Sequence, residues 1–304
     1  MAHTLRSAFV VSSVLIGLSL VEAVVLSWRA RRGGALFAWY EMGISLVDMA
    51  GRRVIDRLPL SFAAPVFALA WQYRIYTVPL HGIPTLLLVF VGQEFFYYWY
   101  HRAAHRIRFF WASHAVHHSP NQLTLSTAYR LGWTGKLTGS GLFFTPLIWL
   151  GVNPHVVLAS LSINLLYQFW IHNTWIPRLG WLEYVFNTPS AHRVHHASNV
   201  EYLDANYGGA LIIFDRLFGT YVAERDELPC RYGLVTPTRS QNPFVVEFGH
   251  WASLARDLTA ARNLATVLGH LFRPPGWRAD GDGETTEELR SRAALLRRQR
   301  AAGE

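Results

Sequence analysis

H-R-A-A-H-R-I-R-F-F-W-A-S-H-A-V-H-H, residues His101–His118, is the stretch from which the rest of the chain is read. On a helix, residues three and four apart share a face. His101 and His105 therefore point one way, and His114 lines up with His117 and His118 in the same manner. A second run, H-R-V-H-H at His192–His196, places His192 beside His195 and His196. Eight imidazoles on three segments, out of 14 histidines in the chain, gain nothing from one another unless a cation binds them. Neutral imidazole is the commonest metal ligand. Scattered buried histidines are the bland alternative, and clustering at helix spacing argues against it.

Eight ligands are too many for one tetrahedral zinc, which takes four. The chain has no H-E-x-x-H, so the zinc-protease arrangement is absent. Bis-histidine haems would use two widely separated ligands each. A site for two redox metals fits the count better, and imidazole suits iron. His172, at the end of an apolar helix and 20 residues before His192, is a ninth candidate. Its alternative is a histidine at the negative end of a helix dipole.

The order H-x3-H, H-x2-H-H, a lone histidine, then H-x2-H-H resembles the fatty acid hydroxylase/sterol desaturase superfamily of membrane di-iron oxygenases. His101/His105, His114/His117/His118, His172 and His192/His195/His196 match its pattern position by position. Supporting runs are similar to the alkylglycerol monooxygenase branch: E-F-F-Y-Y-W-Y-H-R (94–102), L-S-T-A (125–128), Y-Q-F-W-I-H (167–172), N-T-P-S (187–190), N-Y-G-G-A-L-I-I-F-D (206–215) and F-G-T (218–220). The likeness covers about 85–250. Arg106, Asn121-Gln122 and Ala191 depart from that branch, which tends to have glutamate, an acidic pair and a further histidine there. The resemblance implies two iron ions on those nine histidines, dioxygen as oxidant, and a lipid or sterol-like substrate. Hydroxylation of a C–H bond is the expected reaction, with desaturation or methyl oxidation at the same boxes as the alternative. A non-enzymatic metal- or haem-binding membrane protein is the reading from another class.

Composition agrees with a membrane protein: 51% hydrophobic, 16% charged, mean hydropathy +0.15. The net charge of +8 sits largely on arginines beside apolar runs (Arg29, Arg31, Arg32; Arg52, Arg53, Arg57), as the positive-inside rule requires. That pattern points to anionic lipid head groups and away from nucleic acid. The single cysteine, Cys230, excludes an internal disulfide and suits a catalytic part facing a reducing cytoplasm. No nucleotide, flavin or nicotinamide motif is present, so electrons are expected from a separate donor.

Ser7–Trp28 is a 22-residue apolar run with Glu22 its only charge, read as a retained anchor. Residues 35–50 are amphipathic, a second span or an interfacial helix. Leu58–Leu80 has spanning length, and Thr85–Tyr100 runs straight into the first histidine box. Thr138–Trp149 and His155–His172 form a further apolar pair. The expected fold is all-α: an integral membrane protein with about four transmembrane helices and a surface region carrying the boxes. The expected division is 1–84 anchor and interfacial helices, 85–250 catalytic domain, and 251–304 helical segment with a solvated, dispensable charged tail. The location is a bacterial inner membrane or the endoplasmic reticulum.

Metal-ligating histidines are usually oriented by neighbouring acids and carbonyls. Glu94 shares a face with Tyr97, Tyr98, His101 and His105 and is expected to accept an imidazole N–H. Asp204, Asn206, Tyr207 and Asp215 follow the last box closely and are the other supporting candidates, with caps and turns as the alternative. His155 and His250 read as interfacial and packing residues.

Overall fold

The computed structural model describes residues 2–33, 37–238 and 240–303. Among the described residues every regular element is helical, and β-type pairing is limited to two isolated bridges, Phe186 with Leu211 and Ala197 with Tyr232. The all-α expectation holds. The helices are α1 (Ala2–Arg32), α2 (Trp39–Asp56), α3 (Ala63–Gln72), α4 (Gly82–Arg106), α5 (Arg108–His118) and α6 (Thr145–Trp149). They continue with α7 (Pro154–Ile171), α8 (Pro189–His195), α9 (Ile213–Leu217), α10 (Pro243–Ala260), α11 (Leu264–Phe272) and α12 (Thr286–Gly303).

Two helices are long and apolar enough to cross a membrane, Phe9–Arg32 of α1 and all of α7. α1 exposes Phe9, Val14, Leu18, Val21 and Val25, as a lipid-facing helix does. Its one acid, Glu22, is buried and accepts hydrogen bonds from the Leu125 amide (2.6 Å) and the Trp175 indole (3.0 Å), so it ties α1 to the segments that follow α5 and α7. α7 begins where Asn153 caps the His155 amide and Pro154 takes the first helical position.

Two segments read as spanning are broken. Leu58–Leu80 is not one helix: α3 ends at Gln72, and residues 73–80 are irregular, with a turn at Tyr73 and a bend at Ile75. There Ile75 and Val78 donate to the carbonyls of Trp149 (2.9 Å) and Gly151 (2.9 Å). Pro79 denies its predecessor a helical backbone, and Gly151, at φ 106°, lies where a Cβ would stand 1.9 Å from the Tyr76 carbonyl oxygen. Thr138–Trp149 is likewise a 3-10 turn (Ser140–Phe144) followed by the short α6, interrupted by Gly139 at φ 74°.

Of the 35–50 segment, residues 35 and 36 lie outside the described residues. From Trp39 it forms α2, whose inward face is polar: Glu41, Ser45 and Asp48 are buried with Met42 and Ile44. Ile44, Val116 and Val246 make a small core where α2, α5 and α10 meet. α4 joins the two regions. Its first half exposes Ile83, Leu86, Leu87 and Leu88, whereas its second half buries Glu94, Tyr97, Tyr98, His101 and His105. The apolar core between α3, α4, α6 and α7 contains Phe67, Val89, Tyr97, Phe144, Ile148 and Val157.

Candidate metal centre

Three helices and the end of a fourth bring nine imidazoles together. α4 supplies His101 and His105. Ile107 then adopts an extended backbone (φ −123°, ψ 116°), which lets α5 turn and offer His114, His117 and His118. His172 caps the C-terminus of α7, and α8, started by Pro189, carries His192 and His195 with His196 as its cap.

The imidazoles fall into two groups: His101, His105, His114, His118 and His195, and His117, His172, His192 and His196. Within each group the donor atoms lie within 4.8 Å of one another. This partition cuts across the boxes. Neighbours on a helix point about 100° apart, so His117 and His118 serve different groups, and so do His195 and His196. The groups touch where the rings of His118 and His196 stack at 4.4 Å.

The donor set fits metal ions on its own chemistry. A backbone carbonyl can only accept, so it fixes the proton on the ring nitrogen facing it. His101 Nδ1 donates to the Tyr207 carbonyl (2.8 Å), His117 Nδ1 to Arg130 (2.9 Å), His172 Nδ1 to Gln168 (2.6 Å) and His195 Nδ1 to Ala205 (3.0 Å). Each Nε2 is left as a bare lone pair facing inward. His117 Nε2 and His172 Nε2 stand 3.3 Å apart, with His192 Nε2 2.9 Å from the latter. The lone pairs of His117 and His172, both with Nδ1 protonated, repel at 3.3 Å unless a cation lies between them. Ligands about 2.0–2.1 Å from one ion are roughly 3.0–3.4 Å from each other at right or tetrahedral angles. His105 Nε2, His195 Nε2 and His192 Nδ1 are buried with no hydrogen-bond partner. Burial pushes His117 down to about 4 and holds His101, His114, His118, His172, His192, His195 and His196 well below the usual 6.5, so these imidazoles are neutral and able to ligate.

The supporting residues act in two ways. Asp204 touches a ligand directly, its Oδ1 3.7 Å from His105 Nδ1. Burial alone would raise its pKa, but the neighbouring His105 and Thr286 and the charge of Arg106 hold it below the usual carboxylate range. Asn206, Tyr207 and Asp215 instead shape the loop whose carbonyls receive His101 and His195. Asp204 and Asn206 take left-handed backbone (φ 55° and 58°), and the Asn206 amide binds the Ala191 and Val222 carbonyls (2.9 and 2.8 Å). Asp215 accepts from the Tyr207 and Gly208 amides, each at 2.7 Å, and burial pushes its pKa up to about 6. The Tyr207 ring stands 5.3 Å from that of His105.

Glu94 does not meet an imidazole. It lies two turns before His101, at the level of the glycine-rich loop, and accepts the Ala210 (2.7 Å) and Leu211 (2.8 Å) amides together with the Asn164 side-chain amide. The C-terminal tail is not wholly solvated either. Glu287 of α12 pairs with Arg106 (2.6 Å), which also holds Asp204 (2.8 Å), and Arg290 donates to the Leu203 carbonyl (2.6 Å).

A buried network behind His117 was not singled out from the sequence, although the i, i+4, i+7 spacing of Glu41, Ser45 and Asp48 on α2 carried the signal. Arg130, whose carbonyl receives His117, is fixed by Glu41 (2.9 Å) and the hydroxyls of Ser119 (3.0 Å) and Ser45 (3.2 Å). Asp48 binds the Leu131 and Gly132 amides, and Glu247 binds that of Trp133 (2.9 Å). Burial, reinforced by the charge of Asp48, pushes Glu247 up to about 9. The fold thus keeps a proton that the unfolded chain releases near 4.5, and stability declines as pH rises between those values. Glu247→Gln keeps the hydrogen bonds without the ionisation. It should flatten the fall in the unfolding midpoint between pH 6 and 9, measured by denaturation in detergent.

The comparisons agree with this architecture. Residues 86–220 match the family model described as fatty acid hydroxylase. An alkylglycerol monooxygenase from Xenopus tropicalis is 40% identical over 276 residues, which is 88% of this chain and 58% of the relative. An ornithine lipid hydroxylase from Rhizobium tropici is 33% identical over 201 residues, 64% of this chain and 60% of the relative. A putative methylsterol monooxygenase from Dictyostelium discoideum is 32% identical over 200 residues, 60% of this chain and 68% of the relative. The chain therefore spans little more than half of the frog protein. No solved structure matches it significantly. With its histidine boxes and these relatives, this chain belongs to the fatty acid hydroxylase/sterol desaturase superfamily and resembles its alkylglycerol monooxygenase branch most in the runs quoted above.

Proposed function

We propose that the chain is a membrane-bound monooxygenase that hydroxylates a C–H bond of a lipid or sterol-like substrate at a two-iron centre. The observation that carries this reading is the division of nine imidazoles into groups of five and four with bare nitrogens facing inward. When bound, the irons supply activation of dioxygen for attack on an unactivated C–H bond. One oxygen atom goes to the substrate and the other leaves as water, which consumes two protons and two electrons from a separate donor.

His101, His105, His114, His118 and His195 would hold one ion, and His117, His172, His192 and His196 the other. The carbonyls of Gln168, Arg130, Ala205 and Tyr207 keep the Nε2 atoms aimed, and Asp204 orients His105. A cavity of about 210 Å³ reaches His114, His117 and His172 between aromatic and aliphatic side chains of α4 and α7. Those walls orient an alkyl chain and exclude water. A separate cavity of about 200 Å³ meets His105, His118, His195 and His196 beneath the C-terminal segment, and offers small reactants a path that avoids the lipid.

The exposed apolar faces of α1, α7 and the first half of α4 would lie in hydrocarbon, with the shorter α3 and α6 completing the membrane-embedded part. Arg29, Arg31 and Arg32 in the last turn of α1 favour a cytoplasmic position for that end and for the metal site. The test is mass spectrometry of lipid extracts with and without expression. A lipid gaining one oxygen is expected. Loss of two hydrogens would replace hydroxylation by desaturation, and unchanged lipids together with no reductant-dependent oxygen uptake would contradict the oxygenase reading.

A further inference from the structure

The cavity beside His114, His117 and His172 carries a feature that an alkyl chain alone does not require. Its apolar walls include Tyr97, Phe144, Leu161 and Leu165, but Arg52 and Asp56 from the last turns of α2 and Lys136 from the 3-10 turn Gly135–Leu137 also line it. Lys136 is occupied, its ammonium donating to the carbonyls of Asp56 (3.0 Å) and Leu58 (2.8 Å). Arg52 is not. Among the described residues its half-buried guanidinium has no hydrogen-bond or ion-pair partner. The acid one turn back, Asp48, lies within electrostatic reach of Arg52 but gives its oxygens to the Leu131 and Gly132 amides (3.1 and 2.8 Å). Other arginines nearby are engaged: Arg53 donates to Ser12, and Arg130 pairs with Glu41. Tyr100, within electrostatic reach of Arg52, lines the same cavity with a hydroxyl that has no hydrogen bond among the described residues.

The position of Arg52 is built. Gly51 lies so close beneath Trp133 that a Cβ there would stand 2.4 Å from the indole, and the Trp133 N–H binds the Asp48 carbonyl (3.0 Å). The end of α2 is thereby clamped against the cavity wall. A guanidinium partly removed from water without a partner is costly, and its planar fork matches the paired oxygens of a phosphate or carboxylate.

We propose that this cavity binds a lipid whose head carries an oxyanion, a phosphate or a carboxylate, held by the Arg52 guanidinium and the Tyr100 hydroxyl while the alkyl chain lies along α4 and α7. The inference rests on the oxygenase reading and narrows its substrate class to anionic lipids.

The test uses the full chain, iron-loaded, in neutral detergent, with one long alkyl chain presented on a glycerol, a glycerophosphate or a carboxylate head. KM and kcat come from oxygen uptake, and binding to the metal-free protein from quenching of tryptophan fluorescence. In the wild type, KM and the dissociation constant are expected to be about tenfold lower for at least one anionic head than for glycerol, the effect of one charge-assisted contact. Arg52→Gln should bring that ratio close to one, Arg52→Lys should restore part of it, and Tyr100→Phe should reduce it less. A preference for phosphate identifies a phospholipid, and one for carboxylate a free fatty acid. Equal constants for all three heads in the wild type would overturn the proposal. So would an Arg52→Gln effect of the same size on every head, the mark of general attraction to micelle or bilayer. Binding that depends on Arg52 without oxygen uptake from any lipid would sink the oxygenase reading and leave the anionic site standing.

Discussion

His172→Ala is expected to yield a chain that inserts and folds normally, carries one iron in place of two, and hydroxylates more than about 100-fold more slowly. That loss exceeds the 10–100-fold effect of removing an outer partner of a ligand. The reasoning is local. His172 Nε2 lies between His117 Nε2 (3.3 Å) and His192 Nε2 (2.9 Å), and its other nitrogen is held by the Gln168 carbonyl (2.6 Å). Without it the group of four falls to three, whereas all five members of the other group keep their orientation. Metal analysis beside a kinetic assay checks this. Two irons in the variant would return His172 to the role of a packed helix end. His155→Ala is the control: that residue is exposed at the far end of α7 and should leave both quantities unchanged.

The second large effect is expected from the C-terminal helix. Ending the chain at Glu284 removes Thr286 and Glu287, which with Arg106 surround Asp204, and Arg290, which holds the Leu203 carbonyl. Asp204 then keeps Arg106 but loses Thr286 and the Glu287 carboxylate that braces that arginine. Affinity for the ion in the group of five should fall about 10–100-fold, read by titrating apo-protein with cobalt(II) and following its ligand-field bands. The bands of the group of four should stay as they are. Asp204→Asn, with the tail intact, should weaken the same ion and spare the other. Unchanged affinity in both variants would restore the tail to a solvated appendage.

How far the sequence discloses this molecule depends on the range of the interaction involved. Helix-spaced boxes are local, so the nine histidines and the buried stripe Glu94–Tyr97–Tyr98–His101–His105 could be read directly. The partition into five and four could not, because it depends on the angle at which α8 meets α5. The same limit applies to Glu94. An acid on the ligand face invites pairing with an imidazole, but the free amides of Ala210 and Leu211, more than a hundred residues away, reach it first. Hydropathy predicts longer helices than form for a different reason. Apolar content continues through Leu58–Leu80, yet Pro79 and the close approach to Gly151 stop the helix. In α2 the polar residues that look like an interfacial face point inward, because Arg130 and the amides of 131–133 need them. The basic tail looked like solvent-facing charge until its first turn was seen against Asp204.

X-ray data collected on the protein above and below the iron absorption edge test the central claim most directly. The account predicts two anomalous peaks, one among His101, His105, His114, His118 and His195 and the other among His117, His172, His192 and His196. One peak, or peaks away from these imidazoles, would contradict it.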